Sequence, residues 1–185
     1  GVCTMSEKVT IKVERKTLHL PTIALRGLVV FPNNLVHFEV GREKSIAAVE
    51  WAMANNSNVF LVAQKSMDTT EPQQADLFSY GVVAEVKQVL RVSGDLVKVL
   101  VEGKYRAKLS VLDASGDFLL SEVRPAPVRT GKADDAVETE ALLRALKAGF
   151  DEYLGMNPRL GKDVVFAIVS SDDPAFLSEY MPANL

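Results

Sequence analysis

The residue types that could bind phosphate are present in this chain, but their spacing does not form a phosphate-binding loop. Such a loop requires glycines at fixed spacing followed by Lys and then Ser or Thr, because backbone amides and the lysine must converge on the phosphates. The Gly-Lys pairs here are followed instead by Tyr105, Ala133 and Asp163. The sequence therefore predicts no nucleotide site of this type.

The candidate metal ligands and nucleophiles are also scattered. Cys3, His19 and His37 have no spacing that resembles a zinc cluster, and the alternation around His37 places it on the polar face of a strand. A catalytic Ser needs a positioned base and an oxyanion site. No serine sits in a strand-to-helix elbow with a His in a partnering context; the candidates are Ser110, Ser121 and Ser170. We expect no catalytic residue and no metal site in this chain.

A group of carboxylates lies in the polar segment from Met67 to Leu77. Asp68, Glu71 and Asp76 could supply acid-base chemistry, but Pro72 and two glutamines among them are typical of a solvated surface loop. We interpret the segment as a loop.

The elements of the first two thirds of the chain are mostly strands. Short Val-rich runs are separated by turn residues from Lys16 to about Val123. One strand alternates from Val36 to Val40, one is apolar on both faces from 59 to 63, and a longer one is expected to keep one apolar face from Val82 to Val92. The spacing of turns predicts a small, mostly antiparallel β-barrel.

One helix interrupts these strands, and further helices follow them. Residues 42–54 place Ile46, Val49 and Met53 on one stripe that should pack on the sheet, with Trp51 covering its edge. Periodicity predicts three more helices, at 134–154, at 164–169 and beginning at Pro174, where Asp173 can cap the first turn. The predicted fold class is therefore α+β: a Val-rich barrel with one packed helix, then a C-terminal helical bundle segment.

The composition shift at Arg124 divides the chain into four parts. We expect a lead at 1–15, whose first residues before Met5 resemble a cloning remnant, a β domain at 16–124, a linker at 125–133 and a helical subdomain at 134–185. The helical subdomain is interpreted as the start of a longer helical region.

Charge and hydropathy limit the classes of partner. The 21 basic and 24 acidic residues give a net charge of −3, and the basic ones form no stripe, which disfavours nucleic acid as a partner. No apolar run is long enough to cross a bilayer and no secretory signal is evident, so we expect a cytoplasmic protein without a membrane partner. A lone cysteine forms no internal disulfide.

Apolar residues bounded by turn signals are candidates for a contact surface. The run at 28–32 cannot bury all its side chains in an alternating strand, and Leu77 and Phe78 border the polar loop, where they could face solvent. A contiguous exposed apolar patch often marks a site for another polypeptide. The candidates are Leu28, Val30, Phe31, Pro32, Leu35, Leu77 and Phe78. Core packing is the alternative for each of them.

Several blocks of the sequence resemble one protein family. They are LPTIALRGLVVFPNNLVHFEVGR at 20–42, VAQK at 62–65, YGVVA at 80–84, VKVLVEG at 97–103 with Arg106 after it, and DPAFLS at 173–178. In this order they resemble the N-terminal domain of the ATP-dependent Lon proteases of LonA type. Positions that match the family's pattern are Leu25, Arg26, Phe31, Pro32, Gly41, Arg42, Gln64, Gly81, Gly103 and Arg106. His37 departs from it, since the family often has Pro there.

The resemblance implies a barrel of PUA type that selects unfolded, damaged or degron-bearing proteins for an ATPase and a Ser-Lys peptidase absent from this chain. It implies no cofactor here, because ATP and Mg belong to the missing ATPase region, and it implies self-association, with a hexamer for the full-length protein. We expect the glycines at turns and the arginines as anchors for carbonyls or carboxylates. A PUA-like RNA-binding module and a structural or oligomerisation domain remain the alternatives.

Overall fold

A six-stranded sheet closes into a barrel in the computed structural model, which describes residues 17–93, 96–127 and 136–185. The strands are β1 (Leu18–Leu25), β2 (Leu35–Val40), β3 (Asn58–Ala63), β4 (Tyr80–Ser93), β5 (Leu96–Asp113) and β6 (Leu119–Pro125). They pair in the order β2-β5-β4-β3-β1-β6, and β6 also pairs with β5, which closes a ring of five strands. Only β1 and β3 pair in parallel. The predicted α+β class, with a mostly antiparallel barrel, is confirmed.

The long strand β5 carries two partners along one edge. β2 pairs with its residues 97–102, and β6 pairs with its residues 107–113. Its other edge pairs with β4 along most of its length. The edge between the two partners, around Gly103, is therefore open to a close approach by another segment.

The strands bury side chains on both of their faces. Along β3, Val59 and Leu61 join one apolar cluster, while Phe60 and Val62 join a second one. All four are at most 2% exposed. A strand covered on both sides is what the unbroken apolar run predicts.

The helix α1 (Glu43–Asn55) packs its small residues against the first of these clusters. Ala48, Val49 and Ala52 are buried, but Met53 is 45% exposed, so its assignment to the buried stripe is wrong. Trp51 lies at the edge of the stripe as expected, with its ring centroid 5.7 Å from that of Phe118.

A β-bulge reverses the apolar face of β4. The register with β5 shifts by one residue between Val86 and Gln88, and one extra residue exchanges the two faces of a strand beyond it. Val89 consequently packs on the core, whereas Leu90 and Val92 are 50% and 56% exposed. The expectation of one apolar face from Val82 to Val92 is therefore wrong after Val86.

Three helices follow the barrel: α2 (Ala136–Met156), α3 (Lys162–Ser170) and α4 (Pro174–Asn184). Phe150, Ile168, Leu177 and Met181 form their shared core. The Asp173 carboxylate accepts a hydrogen bond from the Ala175 N–H at 2.9 Å, as the predicted cap requires. Within the described ranges no helix is long and apolar enough to cross a membrane. The expected lead and most of the expected linker lie outside those ranges.

Candidate functional site

An apolar groove of about 530 Å³ opens where β1 and β3 end and β4 begins. Its lining combines the ends of these strands with the segment that follows β1 and with one residue of β5. The lining residues are Leu25, Val29, Val30, Phe31, Pro32, Leu61, Ala63, Phe78, Ser79, Tyr80, Gly81, Val82 and Arg106. Most of this surface is apolar, so the groove suits an apolar ligand.

The floor and the rim of this groove differ in exposure. Leu61 and Val82 on the floor belong to the buried core. Val29, Phe78 and Tyr80 on the rim are 59%, 50% and 54% exposed. Rigid packing below and exposed rings above give a preformed apolar surface whose desolvation would favour binding.

The segment Phe31–Asn34 docks on β5, and its first two residues form one wall of the groove. The Asn33 N–H donates to the Gly103 carbonyl, and the Gly103 N–H donates to the Asn34 carbonyl, each at 2.9 Å. Asn33 has φ of 59°, a left-handed conformation that Asn tolerates. These contacts fix Phe31 and Pro32 relative to the barrel.

A hydrogen-bonded cluster holds the loop that leads to Phe78. Arg26 and the Gln64 side chain each donate to the Thr69 carbonyl at 3.0 Å, and Arg42 donates to Gln64 Oε1. Gln64 is 6% exposed. Burial, and then the positive charge of Arg26, lower the pKa of Arg42. The Phe78 N–H then donates to the Ala63 carbonyl at 3.1 Å, which ties the rim to the end of β3.

Arg106 connects the groove to the helical region. Its Nη2 lies 3.2 Å from Oε1 of Glu179 on α4. Among the described residues this is the ion pair that joins the barrel to the helices. Arg106 therefore both lines the groove and holds α4 against the barrel.

The structure brings together four of the seven predicted contact residues. Val30, Phe31, Pro32 and Phe78 all line the groove, but Val30 is 6% exposed and Pro32 is buried, so the predicted exposure is wrong for these two. Leu77 is only 2% exposed and packs in the second cluster, so its predicted exposure is wrong.

The two remaining predicted contact residues lie elsewhere. Leu28 packs against the first cluster, and Leu35 is 60% exposed on β2, outside the groove lining. Sequence reasoning missed the contributions of Val29, Tyr80 and Arg106, although Val29 and Tyr80 fall in the family-like blocks and Arg106 directly follows one. No local pattern distinguishes a rim residue from a strand residue, because the groove forms only when the barrel closes.

Two family-matching glycines have a different role from the one expected. Gly81 and Gly103 lie inside β4 and β5 and not at turns. A Cβ on Gly81 would lie 2.2 Å from the Leu61 carbonyl oxygen, and one on Gly103 would lie 2.2 Å from that of Phe31. Glycine is required at both positions because another backbone passes too close for any side chain. Gly41 is exposed, and a Cβ there would make only an ordinary contact with Leu96.

The described residues contain no group of three or more His, Cys, Asp or Glu side chains placed to hold a metal ion. Within the same ranges, the largest set of linked charges is Glu85, Lys87, Glu102 and Lys104, which pair across β4 and β5 at 2.7 to 2.9 Å. This exposed network is a feature of the barrel surface and does not line the groove.

The fold, a barrel with an apolar groove joined to a helical unit, matches one class of domain among known proteins. The family model of the ATP-dependent protease La (LON) substrate-binding domain matches residues 19–185. Lon protease of Desulforamulus reducens is 36% identical over 166 residues, covering 90% of this chain and 20% of that protein. Lon protease of Escherichia coli K12 is 36% identical over 168 residues, covering 91% and 21%.

A solved structure shares the fold. The N-terminal domain of Mycobacterium avium complex Lon protease superimposes with a TM-score of 0.63 at 20% identity, covering 88% of this chain and 80% of that one. This chain belongs to the Lon substrate-binding domain family, as the resemblance in the sequence predicts. It spans about a fifth of the length of the curated relatives it matches. The matched part is their substrate-binding domain and not their catalytic one.

Proposed function

We propose that this domain binds apolar segments of unfolded, damaged or degron-bearing proteins in the groove. In this proposal the domain acts in the cytoplasm without a cofactor and delivers these proteins to an ATPase and a Ser-Lys peptidase that are not in this chain. The observation that carries the proposal is the exposed rim of Val29, Phe78 and Tyr80 above a buried apolar floor. The family description as a substrate-binding domain supports it.

The physical basis is the burial of apolar surface. Each rim side chain moved from water to a peptide contact contributes about 1 kcal/mol at roughly 25 cal/mol per Å². A few such contacts, less the cost of ordering the peptide, give weak binding by a single domain. Several copies on one substrate would raise the apparent affinity through effective concentration.

Two matched substitutions test the proposal. Phe78 on the rim and Leu90 on the far part of β4 are both 50% exposed, and Leu90 does not line the groove. Binding of a permanently unfolded, fluorescently labelled protein should weaken about three- to tenfold in Phe78→Ser and stay unchanged in Leu90→Ser. Equal affinity of the two variants would contradict binding in the groove.

Exposed apolar side chains on the helices favour a second proposal, self-association, with a hexamer in the whole protein. Val137 and Leu142 on α2 are 80% and 64% exposed, and Phe166 on α3 is 74% exposed. Such side chains on one helical unit suit an interface between copies or with a further helix.

Sedimentation velocity over a range of concentrations tests this second proposal. The unsubstituted chain should associate as its concentration rises, and Phe166→Ser should reduce the association. Val111→Ser is the control, because Val111 is 51% exposed on the barrel. A chain that stays monomeric at all concentrations would argue against self-association through these helices.

A further inference from the structure

We propose that the groove prefers apolar segments that carry a carboxylate, and that Arg106 is the residue that recognises it. The carboxylate is an Asp or Glu side chain or a free C-terminus. This inference rests on the proposed function, because it names the class of segment that the same groove takes.

The charge of the groove is the first argument. Of its lining residues only Arg106 is charged, and its side chain is 37% exposed. It lies directly opposite Val82 in the β4–β5 register, on the face that forms the groove floor. A cation beside an apolar surface complements a segment that is apolar and carries one negative group.

A second cation lies on the same face of β5. Lys108 follows Arg106 by two residues, so the two side chains point to the same side of the strand. Lys108 is opposite Tyr80 in the register, and its Nζ is 6.0 Å from the centroid of the Tyr80 ring. Positive charge is therefore present both within the groove and along its rim.

Glu179 already forms an ion pair with Arg106. The pair is formed by one Nη atom and one carboxylate oxygen, while a guanidinium offers five N–H donors. The Glu179 side chain is 13% exposed and remains beside the arginine. A ligand carboxylate must share Arg106 with Glu179 or replace it, so Glu179 should weaken the binding of acidic segments.

The relation between these two residues gives opposite predictions for two substitutions. Arg106→Gln should remove the preference for a carboxylate, so that the acidic peptides bind no more tightly than the neutral one. Glu179→Gln should strengthen the binding of acidic peptides, because the charge that competes for Arg106 is gone while the side-chain volume is kept. A purely structural role for the ion pair would make both variants bind less well.

The experiment uses three labelled peptides with the same apolar core. One is neutral with an amidated C-terminus, one carries an internal Asp, and one has a free C-terminal carboxylate. Fluorescence anisotropy at low salt should give about five- to tenfold tighter binding for one or both acidic peptides, a range set by a partly exposed charged hydrogen bond. Comparing the two acidic peptides shows whether the groove prefers the carboxylate of an internal side chain or that of a chain terminus.

The controls separate this inference from the proposed function. Arg91→Gln removes an exposed arginine that pairs with Glu50 away from the groove, and it should leave all three affinities unchanged. Equal binding of the three peptides, weakened throughout by Phe78→Ser, would overturn the carboxylate preference and leave the proposed function intact. If none of the peptides binds, both fail.

Discussion

Gly103 and Phe31 meet backbone to backbone at the wall of the groove. A Cβ on Gly103 would lie 2.2 Å from the carbonyl oxygen of Phe31 and 3.3 Å from Cα of Pro32. The open edge of β5 between β2 and β6 accommodates this approach. The position of the wall thus depends on the absence of a side chain on the neighbouring strand.

Gly103→Ala should lower the free energy of unfolding by about 1–3 kcal/mol, because a backbone segment has to shift to relieve the clash. The same shift should weaken the binding of unfolded protein. Gly116→Ala is the matched control, since a Cβ there would make only an ordinary contact, 3.7 Å from the Phe118 carbonyl oxygen. Urea unfolding measures the stability of both variants. Equal stabilities would refute the close-approach explanation.

Gln64→Ala should destabilise the chain by about 1–3 kcal/mol, because it removes the Arg42 partner and a donor to the Thr69 carbonyl. Hydrogen exchange should accelerate between Gln64 and Phe78, where the loop loses its anchor. Gln88→Ala serves as the control, since Gln88 is exposed on β4. Unchanged exchange in this loop would show that the cluster does not hold it.

The charge network on β4 and β5 makes acid stability depend on Glu102. Hydrogen bonds from Lys104 and then Lys87 lower the pKa of Glu102 from 4.5 to about 2. The same two lysines lower the pKa of Glu85. A carboxylate whose pKa is depressed by folding stabilises the fold above its unfolded pKa, and that contribution is lost as the pH falls from about 4.5 towards 2.

Glu102→Gln should therefore flatten the fall in urea midpoint between pH 4.5 and pH 2. High salt should reduce the difference, because the network is exposed and screened. Glu39→Gln on the neighbouring strand makes a control, since Glu39 is exposed and forms no ion pair with another described residue. Parallel acid profiles for the unsubstituted chain and Glu102→Gln would contradict this assignment.

The sequence predicts the strands, helices and fold class because periodicity records which faces are buried. Prediction from periodicity fails where a local irregularity changes which face of a strand is buried. The bulge after Val86 exposes Leu90, and packing in the second apolar cluster buries Leu77, yet neither leaves a local pattern. β1 is likewise not singled out by alternation, because it is buried on both faces and contains Pro21.

The candidate site was only partly predictable for a related reason. Turn signals around Phe31 indicate an apolar segment that one strand cannot bury, Phe78 borders a polar loop, and the structure brings both residues into the groove. The contribution of Arg106 depends on the register of β4 with β5 and on the position of α4. Both are tertiary relationships that one sequence does not specify.

The most direct test of the central claim is an NMR titration of this chain with a permanently unfolded protein. Binding in the groove predicts dose-dependent chemical-shift changes centred on Val29, Phe31, Phe78 and Tyr80. The amides of α2 and α3 should be unaffected at the same concentrations. Absence of shifts around Phe31 and Phe78 at high micromolar ligand, or shifts confined to the helices, would contradict the account.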